Sequence, residues 1–426
     1  MSIKTICDKF HTYYDANIIN SLDKNAENFI EEICVNINSK KIKNIPKENS
    51  TLIKLIYNKV SKHYPVPKFL GGPNQLNILR SKKYGKTIFI FGESHSRTTD
   101  CPNNQGAEKI EDYLPKLILS TPKFLDIYIE AVFPSEKGFY SQICQRFHNM
   151  TDQYYKKLQK KCEKYGSNLN AAMRTTELKN SFRKCLNEST RVAEECKLAR
   201  VHYTDVRSNE LLDHYDPVTQ FLDDLDLYFI RIEELHRKYE KINCTEKFFH
   251  KHKSTLLLLT DYEKSKKFLL QVFDNKKLVK ELNKSYLGEK IKDYYLGIVT
   301  KIIEQELQYN NYVINRGFTF LTLDTVSMEQ KMLIFNKMAI NLSINLIEIP
   351  SSMVDMYTLS RMFKEFKNVD KQPKEARNII LYFGSDHSKL MGNFLKSIGF
   401  NTLFKLESNL ENCIKVTDTY LDLLYN

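Results

Sequence analysis

Four apolar segments of the chain each end in a short polar cluster, and this pattern restricts the fold most strongly. The segments are Lys86–Phe91, Leu125–Ile129, Arg200–Thr204 and Asn378–Phe383. They are rich in β-branched and aromatic residues at successive positions, which is typical of strands that are covered on both faces. In a parallel α/β sheet the carboxyl ends of the strands meet at one edge, where ligands bind. We therefore expect the four polar clusters to meet at that edge.

The remainder of the chain is predicted to be mostly helical, because Leu, Ile and Tyr recur at three-to-four spacing with little Gly or Pro. We expect an α/β fold with a mostly parallel central sheet, and one more strand at either Phe318–Leu323 or Asn345–Ile349. The predicted organisation, in chain order, is an N-terminal helical region at 1–75, the first part of the α/β core at 76–135, a helical insertion at 136–199, a core strand and loop at 200–216, a second helical insertion at 217–315, and the second part of the core at 316–426.

Two of the polar clusters have the same form, a strand followed by G-x-x-H. They are Gly92–His95 and Gly384–His387. Glycine permits a sharp turn and a close approach to a ligand, and the histidine three residues later can point back over the sheet edge. Between them, Glu130 ends the second strand and Arg207 follows the third. Because the two motifs both follow apolar strands, they predict one shared site.

His95, Glu130 and His387 form a typical set of three ligands for a divalent metal ion with open positions for water. Such an ion, predicted to be Mn, Co or Zn, lowers the pKa of bound water and polarises a carbonyl group. Arg207 is predicted to hold a substrate carboxylate or a developing oxyanion. Glu93 is a candidate general acid or base, and Asp386 is predicted either to orient His387 or to join the ligands.

The same residues permit readings without a metal. One histidine can act as a general base that Glu93 or Glu130 orients, or the histidines can cap helices beside an ordinary buried Glu–Arg ion pair. Cys101 is a weaker candidate nucleophile, because a reactive thiolate needs a base and an electropositive pocket. The residues alone leave these alternatives open.

The arrangement resembles the TraB/TIKI superfamily, which includes erythromycin-esterase-like and ChaN-like proteins. The positions that match its pattern are Gly92 and His95, Glu130, Arg207, and Gly384 and His387. The segment Gly384–Phe400 is especially similar to the closing strand, G-x-x-H and helix of that family. The resemblance covers about a third of the chain, and it implies a metal-dependent hydrolase acting on an amide or ester bond in a peptide or a small molecule.

Composition adds expectations about compartment and partners. The net charge of the 426 residues is +12, and residues 151–200 carry 12 basic and 6 acidic side chains, so contact with nucleic acid through that insertion is one expectation. The nine cysteines are an odd number without a C-x-x-C pair, which favours unpaired thiols in a reducing compartment. No secretory signal or membrane span is visible, so we expect a cytoplasmic protein that is not secreted.

Two other functions compete with the hydrolase. The first is an inactive descendant of the same fold that serves as a structural or interaction protein. A Lys-, Asn-, Ile- and Tyr-rich chain without Trp resembles the proteins of large DNA viruses, so this version is expected in a virion or in the host cytoplasm. The second is a nucleic-acid-binding protein driven by its charge, although no nucleic-acid-binding module is recognisable. The complete set of motif residues favours the enzyme.

Overall fold

The computed structural model of the chain forms two compact units, Met1–Asp205 with Lys364–Asn426, and Val206–Phe363. The residues that the structure describes are 67–94, 101, 107–120, 124–132, 182, 199–206, 247, 251–252, 254, 261–305, 325–327, 329–330, 333, 348–366, 372–408 and 412–417. The predicted N-terminal helices, most of the first helical insertion and the possible strand at 318–323 lie outside them. So do two of the predicted site residues, His95 and Arg207.

A six-stranded mixed sheet forms the centre of the first unit, in the order β6-β5-β7-β3-β2-β8. The strands, in chain order, are β1 (Phe69–Gly71), β2 (Gln75–Ser81), β3 (Lys86–Glu93), β4 (Ala107–Lys109), β5 (Leu125–Val132), β6 (Ala199–Asp205), β7 (Asn378–Gly384), β8 (Asn401–Glu407) and β9 (Cys413–Lys415). The four apolar segments singled out from the sequence lie in β3, β5, β6 and β7. The predicted α/β class is therefore confirmed, with a mixed sheet.

The pairing of the strands brings their carboxyl ends together. β7 lies between β3 and β5 and runs parallel to both, and β6 runs parallel to β5. β2 and β8 are antiparallel additions beside β3. In this register Glu93 pairs with Gly384, and Ile129 pairs with Tyr382. The end of β3, the end of β7 and the residue after Ile129 are therefore neighbours.

Helices cover both faces of the sheet, as expected for strands that are apolar on both faces. Helix α1 (Ile110–Ser120) packs its buried Ile110, Tyr113, Leu114 and Leu117 into a core with Phe89, Phe91, Ile127 and Ile129. Helix α6 (Ser385–Ser397) contacts β3 and β7. The alternate residues of those strands, such as Ile90 and Leu381, are also fully buried. Burial of this kind contributes about 25 cal/mol per Å² of apolar surface.

A second, three-stranded sheet has the order β4-β1-β9. Cys101 and Cys413 form a disulfide bond beside it, with 5.1 Å between their Cα atoms. The expectation of unpaired thiols is therefore wrong for these two cysteines, because both sulfurs are used in the bond. For the same reason Cys101 is not a free nucleophile in this state.

The second unit is helical where the structure describes it. Its helices are α2 (Tyr262–Leu270), a 3-10 turn (Gln271–Asp274), α3 (Lys276–Lys284), α4 (Gly288–Ile303) and α5 (Glu348–Met362). Because Glu348 and Ile349 begin α5, the alternative strand at Asn345–Ile349 is wrong for those two residues. Asp355 in α5 is fully buried and accepts a hydrogen bond of 3.1 Å from Tyr295. Burial and this carboxylate raise the pKa of Tyr295. Among the described helices, none is long and apolar enough to cross a membrane.

Two glycines of α4 are expected to respond oppositely to alanine. A Cβ at Gly288 would lie 2.1 Å from the backbone oxygen of Leu282, so Gly288→Ala is expected to cost about 1–3 kcal/mol. A Cβ at Gly297 would meet nothing within 4 Å, so Gly297→Ala is expected to stabilise the helix by about 0.5–1 kcal/mol. Urea unfolding of the two variants beside the wild type measures both changes. Equal stability of the two variants would contradict the close contact at Gly288.

Candidate functional site

His387 and Glu130 meet at the carboxyl ends of β5 and β7. His387 lies in the first turn of α6, which begins directly after β7. Its Nε2 atom is 3.1 Å from Oε1 of Glu130, and both side chains are under one tenth exposed. The other carboxylate oxygen, Oε2, accepts a hydrogen bond of 2.8 Å from the backbone N–H of Gly384. The contact therefore joins the end of β5 to helix α6, which follows β7.

An irregularity in β5 coincides with the position of Glu130. Ile129 pairs with Tyr203 and Val132 pairs with Asp205, so Glu130 and Ala131 together oppose one residue of β6. The opposing Thr204 donates its hydroxyl hydrogen to the carbonyl of Ile129 at 3.1 Å. Extra residues of this kind bend a strand and redirect a side chain, and they are frequent beside active sites. The irregularity therefore places Glu130 where the strand stops pairing regularly.

The geometry of the pair assigns different roles to the two nitrogens of His387. When Nε2 carries the hydrogen, it donates to Glu130 and the lone pair lies on Nδ1. A carboxylate in this position fixes the tautomer and the orientation of the ring. Nδ1 is then the atom of His387 that can accept a proton or bind a metal ion. The pair can thus serve either version of the predicted site.

Glu93 is held from two directions at the end of β3. The hydroxyl of Tyr382 donates to Oε2 of Glu93 at 2.6 Å, and the glutamate is almost fully buried. The hydroxyl of Ser385 lies 3.0 Å from the carbonyl oxygen of Glu93 and 2.9 Å from Oδ1 of Asn74. Its single hydrogen is therefore shared between two acceptors. These bonds tie the end of β3 to the start of α6.

The glycines of the two motifs have roles other than those predicted. Gly92 lies inside β3, so it does not make the sharp turn that we expected. Gly384 ends β7 directly before α6, but its φ of −56° is one that any residue adopts, so the change of direction there does not require glycine. A Cβ on Gly92 would lie 2.1 Å from Nε2 of Gln75. The space is used by the Gln75 side chain, which donates to the carbonyl of Ser385 at 2.9 Å. Gly92 therefore admits a neighbouring side chain that holds the start of α6.

Among the remaining predicted site residues, the structure describes only Asp386. His95 and Arg207 lie outside the described residues. Asp386 is exposed in the first turn of α6, and among the described contacts it is Glu130, rather than Asp386, that lies against His387. The described part of the chain contains no group of three His, Cys, Asp or Glu side chains suited to a metal ion. The imidazole and carboxylate of His387 and Glu130 suit a divalent cation as two ligands, so the predicted site needs a third ligand.

A buried ionic cluster lies nearer the amino ends of β5 and β6. Arg200 donates to both oxygens of Asp126, and Nε2 of His202 is 3.3 Å from Oδ1 of the same carboxylate. The His202 ring stacks on the rings of Tyr128 and Phe366, with centroid distances of 4.3 and 5.2 Å. Burial raises the pKa of Asp126, but the hydrogen bonds and charges of His202 and Arg200 lower it more, and the net pKa is below the ordinary value.

Sequence reasoning missed Tyr382, Gln75 and the Asp126 cluster. Tyr382 stands in an apolar strand and has the pattern of a core residue. Gln75 belongs to no motif, and its hydrogen bond to the carbonyl of Ser385 joins residues 310 apart in the sequence. A signal was present for the ionic cluster, since Asp126 and His202 are polar residues inside two apolar strands. Polar residues at such positions require buried partners.

Comparison with known proteins adds no assignment: no family model, curated protein or solved structure matches this chain.

Proposed function

We propose that this chain is a hydrolase of an amide or ester bond, with a TraB/TIKI-like site on a mostly parallel part of the sheet. The observation that supports it best is the 3.1 Å contact between His387 and Glu130 at the carboxyl ends of two neighbouring strands. Ligand sites of α/β sheets occur at this edge. A histidine oriented by a buried carboxylate is a common arrangement for moving a proton in hydrolysis.

In the metal-dependent version, His387 and Glu130 supply two ligands and His95 supplies the third. The donor types suit Zn, Mn or Co. A bound ion would supply a hydroxide near neutral pH and polarise the substrate carbonyl. In the metal-free version, His387 takes a proton from water through Nδ1 while Glu130 holds Nε2–H. Glu130 therefore has a different task in each version: it would bind the ion directly in the first, and it fixes the ring of His387 in the second.

Glu93 is proposed as the second acid–base group. Tyr382 holds one of its oxygens and burial separates it from bulk water, so its direction is fixed relative to the end of β3. A positioned carboxyl group can donate a proton to the leaving group. Arg207 is proposed to hold the negatively charged oxygen of the substrate. Asp386, exposed beside His387 in sequence, is proposed to act at the rim of the site.

The first experiment measures the metal content of the purified protein by elemental analysis, in the wild type, His95→Ala and His387→Ala. We expect a near-stoichiometric divalent ion in the wild type that both substitutions remove. The same samples are then screened against ester and peptide substrates. Absence of metal after addition of Mn, Co or Zn, with hydrolysis retained, would leave the metal-free version. Absence of both metal and hydrolysis would contradict the proposal.

A non-catalytic role is the second candidate, and one observation favours it. Both oxygens of Glu130 and one oxygen of Glu93 are engaged inside the fold. Carboxylates that are satisfied in this way can serve to join strands to a helix without doing chemistry. In that case the variants of His387 and Glu130 change the stability of the protein, and no substrate is turned over by the wild type.

A further inference from the structure

The Cys101–Cys413 disulfide joins positions that are 312 residues apart in sequence. Both cysteines are buried, with exposed fractions of 8% and 1%. Cys413 is the first residue of β9. This strand has three residues, and each pairs with one of the three residues of β1. Strands this short are marginal by themselves. The covalent bond therefore holds a small sheet whose hydrogen bonds alone are few.

Hydrogen bonds continue from the disulfide to the end of β3. Asn412, next to Cys413, is fully buried and has a φ of 59°. Its side-chain oxygen accepts a hydrogen bond of 2.5 Å from the hydroxyl of Ser94, the residue after Glu93. Its backbone oxygen accepts one of 2.7 Å from the N–H of Gly72. A left-handed conformation in a non-glycine residue persists where surrounding contacts enforce it.

A second path leads from Gly72 to the start of α6. Asn74, two residues after Gly72, donates its backbone N–H to the carbonyl of Gly92 at 2.8 Å. Its side-chain oxygen lies 2.9 Å from the hydroxyl of Ser385, two residues before His387. The disulfide is thus connected through described contacts to both motif-bearing segments, the end of β3 and the first turn of α6.

We propose that formation of the Cys101–Cys413 bond completes the site at the carboxyl edge of the sheet, so that the protein is competent only in its oxidised form. This inference concerns regulation and rests on the proposed function. Closing the bond removes two thiol protons and two electrons from the cysteines. A disulfide donor such as oxidised glutathione takes up both and leaves as two molecules of reduced glutathione.

The first experiment tests whether the disulfide bond is present and whether it stabilises the segments that carry the site. Alkylation and mass spectrometry of the non-reduced protein are expected to show Cys101 and Cys413 protected as one linked peptide pair. Hydrogen exchange is then compared before and after reduction with a phosphine. We expect exchange at 91–94 and 384–388 to become about tenfold faster on reduction, because local opening follows the loss of anchoring contacts. Exchange in 288–303 is expected to be unchanged and serves as the internal reference.

Cysteine variants distinguish the effect of the covalent bond from the effect of side-chain packing. Cys101→Ser, Cys413→Ser and the double variant are expected to give the same acceleration, since removal of either partner breaks the one bond. Lys405→Ser, at a side chain 53% exposed in β8, is the control and is expected to exchange like the oxidised wild type. If the variants fail to fold, reduction and reoxidation of the wild type with oxidised glutathione supplies the same comparison, and reoxidation is expected to restore slow exchange.

The outcomes distinguish this inference from the proposed function. Hydrolysis that falls on reduction and returns on reoxidation, in step with exchange, supports both. Redox-dependent exchange at 91–94 and 384–388 without hydrolysis in either state supports control of this edge of the sheet while the hydrolase proposal fails. Free thiols at positions 101 and 413 in the non-reduced protein would overturn the inference. So would a reduced protein whose exchange in those segments is unchanged.

Discussion

Replacement of Asp126 by alanine is expected to lower the free energy of unfolding by about 3–5 kcal/mol, because it removes a fully buried carboxylate from an ion pair with Arg200, whose side chain is 11% exposed. Arg200 donates to both oxygens of Asp126, which has no exposed surface, and His202 lies against the same carboxylate. Desolvated charges of this kind are costly when one partner is removed. Urea unfolding at pH 7, with the wild type and variant in the same buffer, measures the change.

The matched control is an ion pair at the surface. Lys405 and Glu407 are 2.8 Å apart in β8, with side chains 53% and 62% exposed. Because solvent and salt screen such pairs, Glu407→Ala is expected to leave stability unchanged within experimental error. If Asp126→Ala were as stable as Glu407→Ala, the buried cluster would contribute no more to the free energy of unfolding than a solvent-exposed ion pair does.

The contribution of Asp126 is expected to depend on pH with a defined sign. Its folded pKa is lowered, since the hydrogen bonds and charges of His202 and Arg200 outweigh the effect of burial. An acid whose folded pKa is lowered stabilises the fold above its unfolded pKa, which is about 3.9 for aspartate. That stabilisation is lost as the pH falls through the folded pKa. The stability difference between wild type and Asp126→Ala is therefore expected to be largest above about pH 4 and to shrink below it.

Substitution of His387 by alanine is expected to reduce kcat/KM for the proposed hydrolysis by about 10²–10⁴-fold, the usual contribution of a positioned acid–base group. Glu130→Gln is expected to reduce it about 10–100-fold, the usual effect of removing a carboxylate that orients a histidine. The smaller effect follows because His387 itself remains. Steady-state rates on the best substrate of the screen measure both changes.

Lys389→Ala is the control for these rates, because Lys389 is exposed on the same helix as His387. Circular dichroism and thermal unfolding of each variant establish that it is folded before its rate is interpreted. Full activity in a folded His387→Ala variant would remove this residue from the site. A Glu130→Gln variant that loses as much as His387→Ala would place Glu130 in direct contact with the metal or the reacting atoms.

The positions of the strands along the chain were predictable from the sequence, but the pairing between the strands was not. The segments beginning at Lys86, Leu125 and Asn378 start strands at the predicted residues, because β-branched and aromatic runs favour extended backbone locally. Glu130 was predicted to share a site with His387, and the structure places them in contact. The metal ion, the activity and the third ligand stay predictions, since His95 lies outside the described residues.

The predictions for Gly92 and for the cysteines were wrong because contacts with other parts of the chain determine the structure there. Gly92 was predicted to make a turn, but its missing side chain leaves space for Gln75 on the neighbouring strand. Unpaired thiols were expected from the spacing of the cysteines, but the tertiary fold brings Cys101 and Cys413 together across 312 residues of sequence. Neither contact has a local signal in the amino-acid order.

Local order in the sequence specifies which segments become buried strands and which polar residues end them, because hydrophobic patterning and backbone propensity act over a few neighbouring residues. The assembly of the whole sheet places β7 between β3 and β5, so that Glu130 contacts His387 and Tyr382 donates a hydrogen bond to Glu93. It also brings Arg200 and His202 to the same carboxylate of Asp126. These contacts depend on strand order and register, which arise when the whole sheet packs against its helices.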